Sequence, residues 1–130
     1  MGIDLVDVAR ITRIAAEPIG LAGVLTGREL AYCRARGRPG EHMAGRFAAK
    51  EAVLKALGVG LRRGIRWTDV EVVNDAGGRP GVHLHGGAAS LAAEHGLLRL
   101  EISISHTARL AVAHASAAWA GEPPTHRTDS

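Results

Sequence analysis

Three observations on this 130-residue sequence predict an α+β fold, with helices packed on a mainly antiparallel sheet in a single domain. Alternating apolar segments open and close the chain, a turn written in Asp, Gly and Pro joins two more near its middle, and segments with helix signals separate them. Gly2 to Val8 reads as a strand, with Ile3 and Leu5 on one face and Asp4 on the other. It begins almost at Met1, which predicts weak pairing at the sheet edge. From Ala9 the chain leads into a helical segment that brings Arg10 and Arg13 together. Thr26-Gly27-Arg28-Glu29 is a capping box, so a helix starts there and stops by Gly37. No Gly or Pro interrupts Phe47 to Leu57, good helix formers dominate, and Gly58 suits a left-handed cap. Gly58 to Gly64 follows as a basic, glycine-punctuated loop. Asp69 to Asn74 and Gly81 to His85 form a hairpin around Asp75 to Pro80, and Ala88 to His95 is a short helix closed by Gly96. Glu101 to Ser105 and Leu110 to Ala118 are the last strands. The domain covers residues 1–120, and residues 121–130, rich in Pro and Thr, form a disordered tail.

Four aromatic residues, Tyr32, Phe47, Trp67 and Trp119, leave the core to Ala, Val, Leu and Ile. A core so poor in large side chains gains stability by burying a sheet face or edge in an assembly. Cys33 is the lone cysteine, which excludes an internal disulfide and suits a reducing compartment. No secretory leader opens the sequence and no apolar stretch of ~20 residues could span a membrane, so the cytoplasm is the expected location. Net charge is only +3, but arginine is concentrated at Arg10 and Arg13, at Arg28, Arg34, Arg36 and Arg38, and at Arg62, Arg63 and Arg66. Such clusters suit a polyanion or an acidic protein. Nucleic acid is disfavoured, because no aromatics interleave with the arginines and no recognition motif is present.

Fourteen of the sixteen basic side chains are Arg; the two lysines, Lys50 and Lys55, flank Glu51 in one helical stretch. Lysine is a compact charge that can approach a phosphate from one direction. On a helix, Met43, Phe47, Leu54 and Leu57 form an apolar stripe with Lys50 in its middle, while Ala44, Ala48, Glu51 and Lys55 stack along the adjoining row. Taken alone, the helix is better explained by an ordinary Glu51–Lys55 surface pair. Asp4, inside an apolar strand, needs a partner or a cation. Asp4 and Glu51 together supply two hard oxygen ligands of the kind Mg²⁺ takes beside substrate phosphates, provided they meet in space. Alternation puts His106 on the apolar face where its strand ends. His83 and His85 lack the further ligands of a zinc site. Cys33 has no base partner, Ser103 and Ser105 lack a nucleophile elbow, and no P-loop or dinucleotide fingerprint is present.

Three segments then coincide: Gly2-Ile3-Asp4-Leu5-Val6, Gly45-Arg46-Phe47-Ala48-Ala49-Lys50-Glu51-Ala52 with Lys55-Ala56-Leu57-Gly58, and Ser103-Ile104-Ser105-His106-Thr107. In that order and spacing they resemble the holo-acyl-carrier-protein synthase family of 4′-phosphopantetheinyl transferases, over nearly the whole chain to about Trp119. The resemblance implies Mg²⁺-dependent transfer of the phosphopantetheine arm of coenzyme A to a serine of an apo acyl carrier protein, releasing adenosine 3′,5′-bisphosphate. It assigns Asp4 and Glu51 to the metal, Arg46, Lys55 and His106 to coenzyme A, and the catalytic roles to Glu51 and Lys55. It also implies a homotrimer with each site between neighbouring subunits. Whether the base for the serine hydroxyl is Glu51 or a water on the metal stays open. Carrier proteins of this class are acidic, and Arg10, Arg13 and Arg28 suit contact with an acidic helix. The alternative from another class is a non-catalytic basic module of the same fold that binds carriers or other polyanions, sensitive to salt and indifferent to a chelator.

Overall fold

The computed structural model describes residues 1–58, 61 and 64–124 and is organised around one helix. The elements run β1 (Gly2–Asp7), α1 (Val8–Ala15), α2 (Gly27–Arg34), α3 (Pro39–Leu57), a 3-10 turn (Trp67–Asp69), β2 (Val70–Asn74), β3 (Pro80–Leu84), α4 (Gly86–His95), β4 (Leu97–His106) and β5 (Leu110–Trp119). α3 begins well before Phe47, because Pro39 occupies the first turn, where its missing N–H costs nothing. It ends at Gly58, whose φ of 80° lets its N–H reach the carbonyls of Leu54 and Lys55. Fourteen of its nineteen residues are buried, which marks a helix enclosed on every side rather than one with a single apolar stripe.

One layer beneath it is the antiparallel sheet β1-β5-β4; the β2-β3 hairpin forms a second, separate antiparallel pair. The expected α+β class with antiparallel pairing is observed, with the strands divided between these two sheets. Small side chains set the spacing between layers. Ala44, Ala48, Ala49 and Ala52 of α3 and Ala111, Ala113 and Ala115 of β5 are almost completely buried, so helix and sheet approach closely without large aromatics. Two glycines permit the tightest crossings. A Cβ on Gly45 would lie 3.0 Å from Ile104 Cγ2 of β4, and one on Gly2 would lie 2.1 Å from the Ala52 carbonyl oxygen of α3.

β1 pairs with β5 through all six of its residues, from Gly2–Ala115 to Asp7–Leu110, so the short edge strand is fully held. Ile3 and Leu5 share the outer face and are more than half exposed, while Gly2, Asp4 and Val6 face α3. β4 starts at Leu97, immediately after the Gly96 cap and four residues before Glu101. Val59, Gly60, Arg62 and Arg63 of the predicted basic loop, and residues 125–130 of the predicted tail, lie outside the described residues.

Lys50 ties α3 to the hairpin side of the molecule. Its ammonium is completely buried, lies 2.8 Å from Glu29 Oε1, and donates to the carbonyls of Trp67 (3.1 Å) and Val70. All three protons of the ammonium therefore have acceptors. Glu29, also completely buried, accepts from the backbone N–H groups of Thr26 and Val72, both at 2.8 Å. The predicted capping box is present, and the same glutamate neutralises the buried lysine.

Candidate active site

At the C-terminal end of α3, β1 brings Asp4 against Glu51 and Lys55. The Lys55 Nζ donates to Asp4 Oδ1 and to the Ile3 carbonyl, both at 3.0 Å. The predicted helix-surface pair with Glu51 is replaced by this contact across to the strand. Burial and the neighbouring Asp4 carboxylate, including a hydrogen bond between the two acids, push Glu51 up to about 7, against the pull of Lys55 and Arg10. Two carboxylates in such proximity repel unless one is protonated or a cation lies between them. Among the described residues no group of three or more His, Cys, Asp or Glu side chains could form an all-protein metal cage. The arrangement fits a hard cation that takes one or two carboxylates and completes its shell with water and substrate oxygens, as Mg²⁺ does.

A second cluster surrounds the N-terminal half of α3. Arg46 is buried, yet none of its described contacts is a carboxylate: it donates to Asn74 Oδ1, lies over the Tyr32 ring at 4.0 Å, and has no hydrogen-bond partner at Nε. Together with His42, Ile104 and His106, these side chains line a cavity of roughly 200 Å³. Burial, together with the neighbouring His106, Arg46 and Arg36, holds the His42 ring below its ordinary value. A buried guanidinium with no carboxylate among its described contacts, beside two imidazoles, is an anion-binding arrangement.

The two clusters occupy different faces. Arg46 and Glu51 are five residues apart, hence turned by about 140° around the helix axis. The first cluster lies over the β1 edge and the second over the β4 edge of the same sheet, with β5 between them.

The proposed partner-binding arginines also separate. Arg10 lies 5.9 Å from the centre of the Phe47 ring, on the Glu51 side of α3. Arg13 borders an open cleft of roughly 910 Å³ shared with Asp7 and Arg109. Arg28 is 4.0 Å from Glu71, which His85 also approaches at 3.0 Å, so this arginine belongs to the outside of the hairpin. Burial pushes the Cys33 thiol up to about 11, consistent with an inert core residue.

Three residues of the anion pocket, Tyr32, His42 and Asn74, and Glu41 behind His106, escaped the sequence reading. Tyr32–Arg36 and His42–Arg46 both have i,i+4 spacing, which is a usable signal. Asn74 and Glu41 carry none, because their partners Arg46 and His106 lie 28 and 65 residues away.

Comparison with known proteins identifies the family. Residues 1–115 match the family model described as the 4′-phosphopantetheinyl transferase superfamily. A holo-acyl-carrier-protein synthase from Moorella thermoacetica is 51% identical over 106 residues, covering 81% of this chain and 82% of that protein. The crystal structure of the Neisseria meningitidis holo-acyl-carrier-protein synthase superposes with a TM-score of 0.82 at 30% identity, over 90% of this chain and 95% of that one. The Helicobacter pylori synthase, crystallised in complex with coenzyme A, gives a TM-score of 0.78 at 28% identity, over 90% and 98%. The chain belongs to the 4′-phosphopantetheinyl transferase superfamily.

Proposed function

We propose that this protein is a holo-acyl-carrier-protein synthase that moves 4′-phosphopantetheine from coenzyme A to a serine of an apo acyl carrier protein. The observation that carries the reading is the meeting of Asp4 and Glu51, 47 positions apart in sequence, beside the Lys55 ammonium. Asp4 and Glu51 would hold Mg²⁺, which when bound supplies charge neutralisation to the diphosphate. The serine oxygen forms a bond to the phosphorus that carries pantetheine. The bond from that phosphorus to adenosine 3′,5′-bisphosphate breaks, and the electron pair leaves with the bisphosphate. Lys55 donates to the oxygens on which charge accumulates, and the hydroxyl proton passes to Glu51 or to a water beside it. Phosphoryl transfer needs position and charge rather than a protein nucleophile, which agrees with the inert Cys33.

Arg46 and His106 bind phosphates at the nucleotide end of coenzyme A. They sit across the sheet from Asp4, Glu51 and Lys55, so one protomer's pocket is completed by its neighbour's carboxylates in a homotrimer. The outer face of β1 and β5 supports such assembly: Ile3, Leu5, Leu110 and Val112 are large, apolar and exposed there. Arg10 and Arg13, with Arg28 further away, receive the acidic carrier. Among the described residues no helix is long and apolar enough to cross a membrane, and we place the enzyme in the cytoplasm with its carrier.

The test incubates the protein with coenzyme A, Mg²⁺ and a panel of apo carriers, then weighs the carriers. A phosphopantetheine mass gain that EDTA abolishes is expected; no gain on any carrier would sink the reading. Mixing Glu51→Ala with His106→Ala protomers tests the shared site, since trimers that exchange subunits regain intact half-sites and activity.

A further inference from the structure

His106 terminates β4 and enters the anion pocket with one ring nitrogen already committed. Its Nδ1 lies 2.9 Å from Glu41 Oε1, in the first turn of α3. Glu41 is 7% exposed, and its other oxygen lies 3.4 Å from the Arg38 guanidinium. The hydrogen bond with His106, assisted by Arg38 against the opposing effect of burial, holds the Glu41 carboxyl below its ordinary value. An ionised carboxylate only accepts, so the proton in this bond is on Nδ1 and the tautomer is set. The ring is also boxed in. His42 meets it edge to face at 4.8 Å between centroids, and Gly45 leaves room beneath it, where a Cβ would come 4.0 Å from His106 Cδ2. Nε2 is then the nitrogen available to the pocket beside Arg46.

We propose that Glu41 is the positioning residue of His106: by accepting from Nδ1–H it orients the ring so that Nε2, protonated when an anion is bound, donates to a coenzyme A phosphate. The inference rests on the reading that His106 binds such a phosphate. Glu41 itself touches no substrate; it acts through the imidazole, as a carboxylate behind a metal-ligating histidine acts through that ring. Arg38, which looked like part of a surface polyanion cluster, anchors the carboxylate from the side away from His106.

Two measurements on the full-length protein test this. The first is ¹⁵N NMR of the histidine side chains above neutral pH, without ligand. The parent should show the Nδ1–H tautomer for His106, and Glu41→Ala should lose it. Finding the neutral Nε2–H tautomer, with Nδ1 unprotonated, in the parent overturns the proposal. The second is steady-state kinetics with a fixed carrier, backed by calorimetric titration with adenosine 3′,5′-bisphosphate. Glu41→Ala should raise KM for coenzyme A and the Kd for the bisphosphate about tenfold, the scale found when a supporting carboxylate is removed. The change in kcat should be smaller. Glu41→Gln, whose carbonyl can still accept from Nδ1–H, should recover part of the affinity. In the His106→Ala background Glu41→Ala should add nothing further. Equal and additive losses in both backgrounds would mean that Glu41 only supports the fold. If His106→Ala leaves KM and Kd unchanged, the phosphate role of His106 fails, and Glu41 positions no binding group.

Discussion

Lys50 and Glu51 are adjacent on one helix, and their surroundings are opposite. Lys50 is fully buried, matched proton for acceptor with Glu29 and two carbonyls. Glu51 is partly exposed and faces another carboxylate, with one lysine and one arginine nearby and a proton affinity raised to about 7. The first environment is electrostatically complete, so nothing in it calls for a ligand, and its effect is to lock α2, α3 and β2 together. The second is unbalanced, and the imbalance has the sign that a cation and then an anionic substrate would correct. Charge is therefore divided along α3 between architecture and chemistry by a rotation of a single residue.

The comparison is broken most severely at the open end. Asp4→Ala and Glu51→Ala should each lower transfer by about a thousandfold or more, because the missing oxygen ligand leaves the developing charge unsupported. The thermal midpoint should stay near the parent's or rise slightly, since each change relieves carboxylate repulsion. Mass spectrometry of the carrier and a melting curve check both halves. Wild-type activity in either variant at limiting Mg²⁺ would remove that residue from the site.

The closed end should respond in the opposite way. Lys50→Met leaves Glu29 as an uncompensated buried anion and should cost on the order of 3–5 kcal/mol of stability by urea denaturation. Activity per folded molecule should change little at a temperature where the variant is folded. Adding Glu29→Gln removes the stranded charge while keeping an acceptor for the Val72 N–H, so the double variant should be more stable than Lys50→Met alone. A simple packing role for Lys50, with no electrostatic part, predicts the reverse order.

The same contrast explains what the sequence discloses. Caps and turns were legible because their signals are local: Thr26 with Glu29, Gly58, Gly96 and the Asp75–Pro80 turn all appear where expected. The open cluster was legible because its residues break compositional habit: two lysines in an arginine chain and an aspartate in an apolar strand. Glu29 was read only as a capping residue, since no short-range pattern says that Lys50 ends within 2.8 Å of it. Arg36 and Arg38 were read as part of a polyanion cluster, but they lie against Tyr32 and Glu41. The outward turn of Ile3 and Leu5 follows from the same cause. Gly2 faces inward because α3 passes so close there that a Cβ would meet the Ala52 carbonyl, and alternation then turns Ile3 and Leu5 outward.

A subtler change at the open end tests geometry rather than charge. Lys55 holds Asp4 and the Ile3 carbonyl from one compact nitrogen, each at 3.0 Å. Lys55→Arg preserves the charge but replaces the point donor with a longer planar fork. It should cost on the order of 2 kcal/mol in kcat/KM for coenzyme A, with little effect on stability. An arginine variant as active as the parent would show that charge alone suffices there.

The smallest effect lies where the closed network meets solvent. Thr26 gives its N–H to Glu29 and its hydroxyl, at 2.6 Å, to Glu71 on β2. Burial pushes Glu71 up, but its hydrogen bonds with Thr26 and His85 and the Arg28 charge outweigh this and hold it below the ordinary carboxylate value. A group whose proton affinity is lowered by folding stabilises the native state above its unfolded pKa, and that contribution fades as pH falls through the folded value. The parent's melting temperature should therefore drop as pH is lowered below about 4.5. Glu71→Gln should melt slightly lower at neutral pH and lose part of this acid slope, because glutamine keeps the Thr26 bond but cannot titrate. Lys50→Met changes stability at every pH in this range, whereas Glu71→Gln should differ from the parent chiefly on the neutral side. Identical acid slopes in Glu71→Gln and the parent would place the boundary of the closed network inside Thr26, leaving Glu71 as an ordinary surface carboxylate.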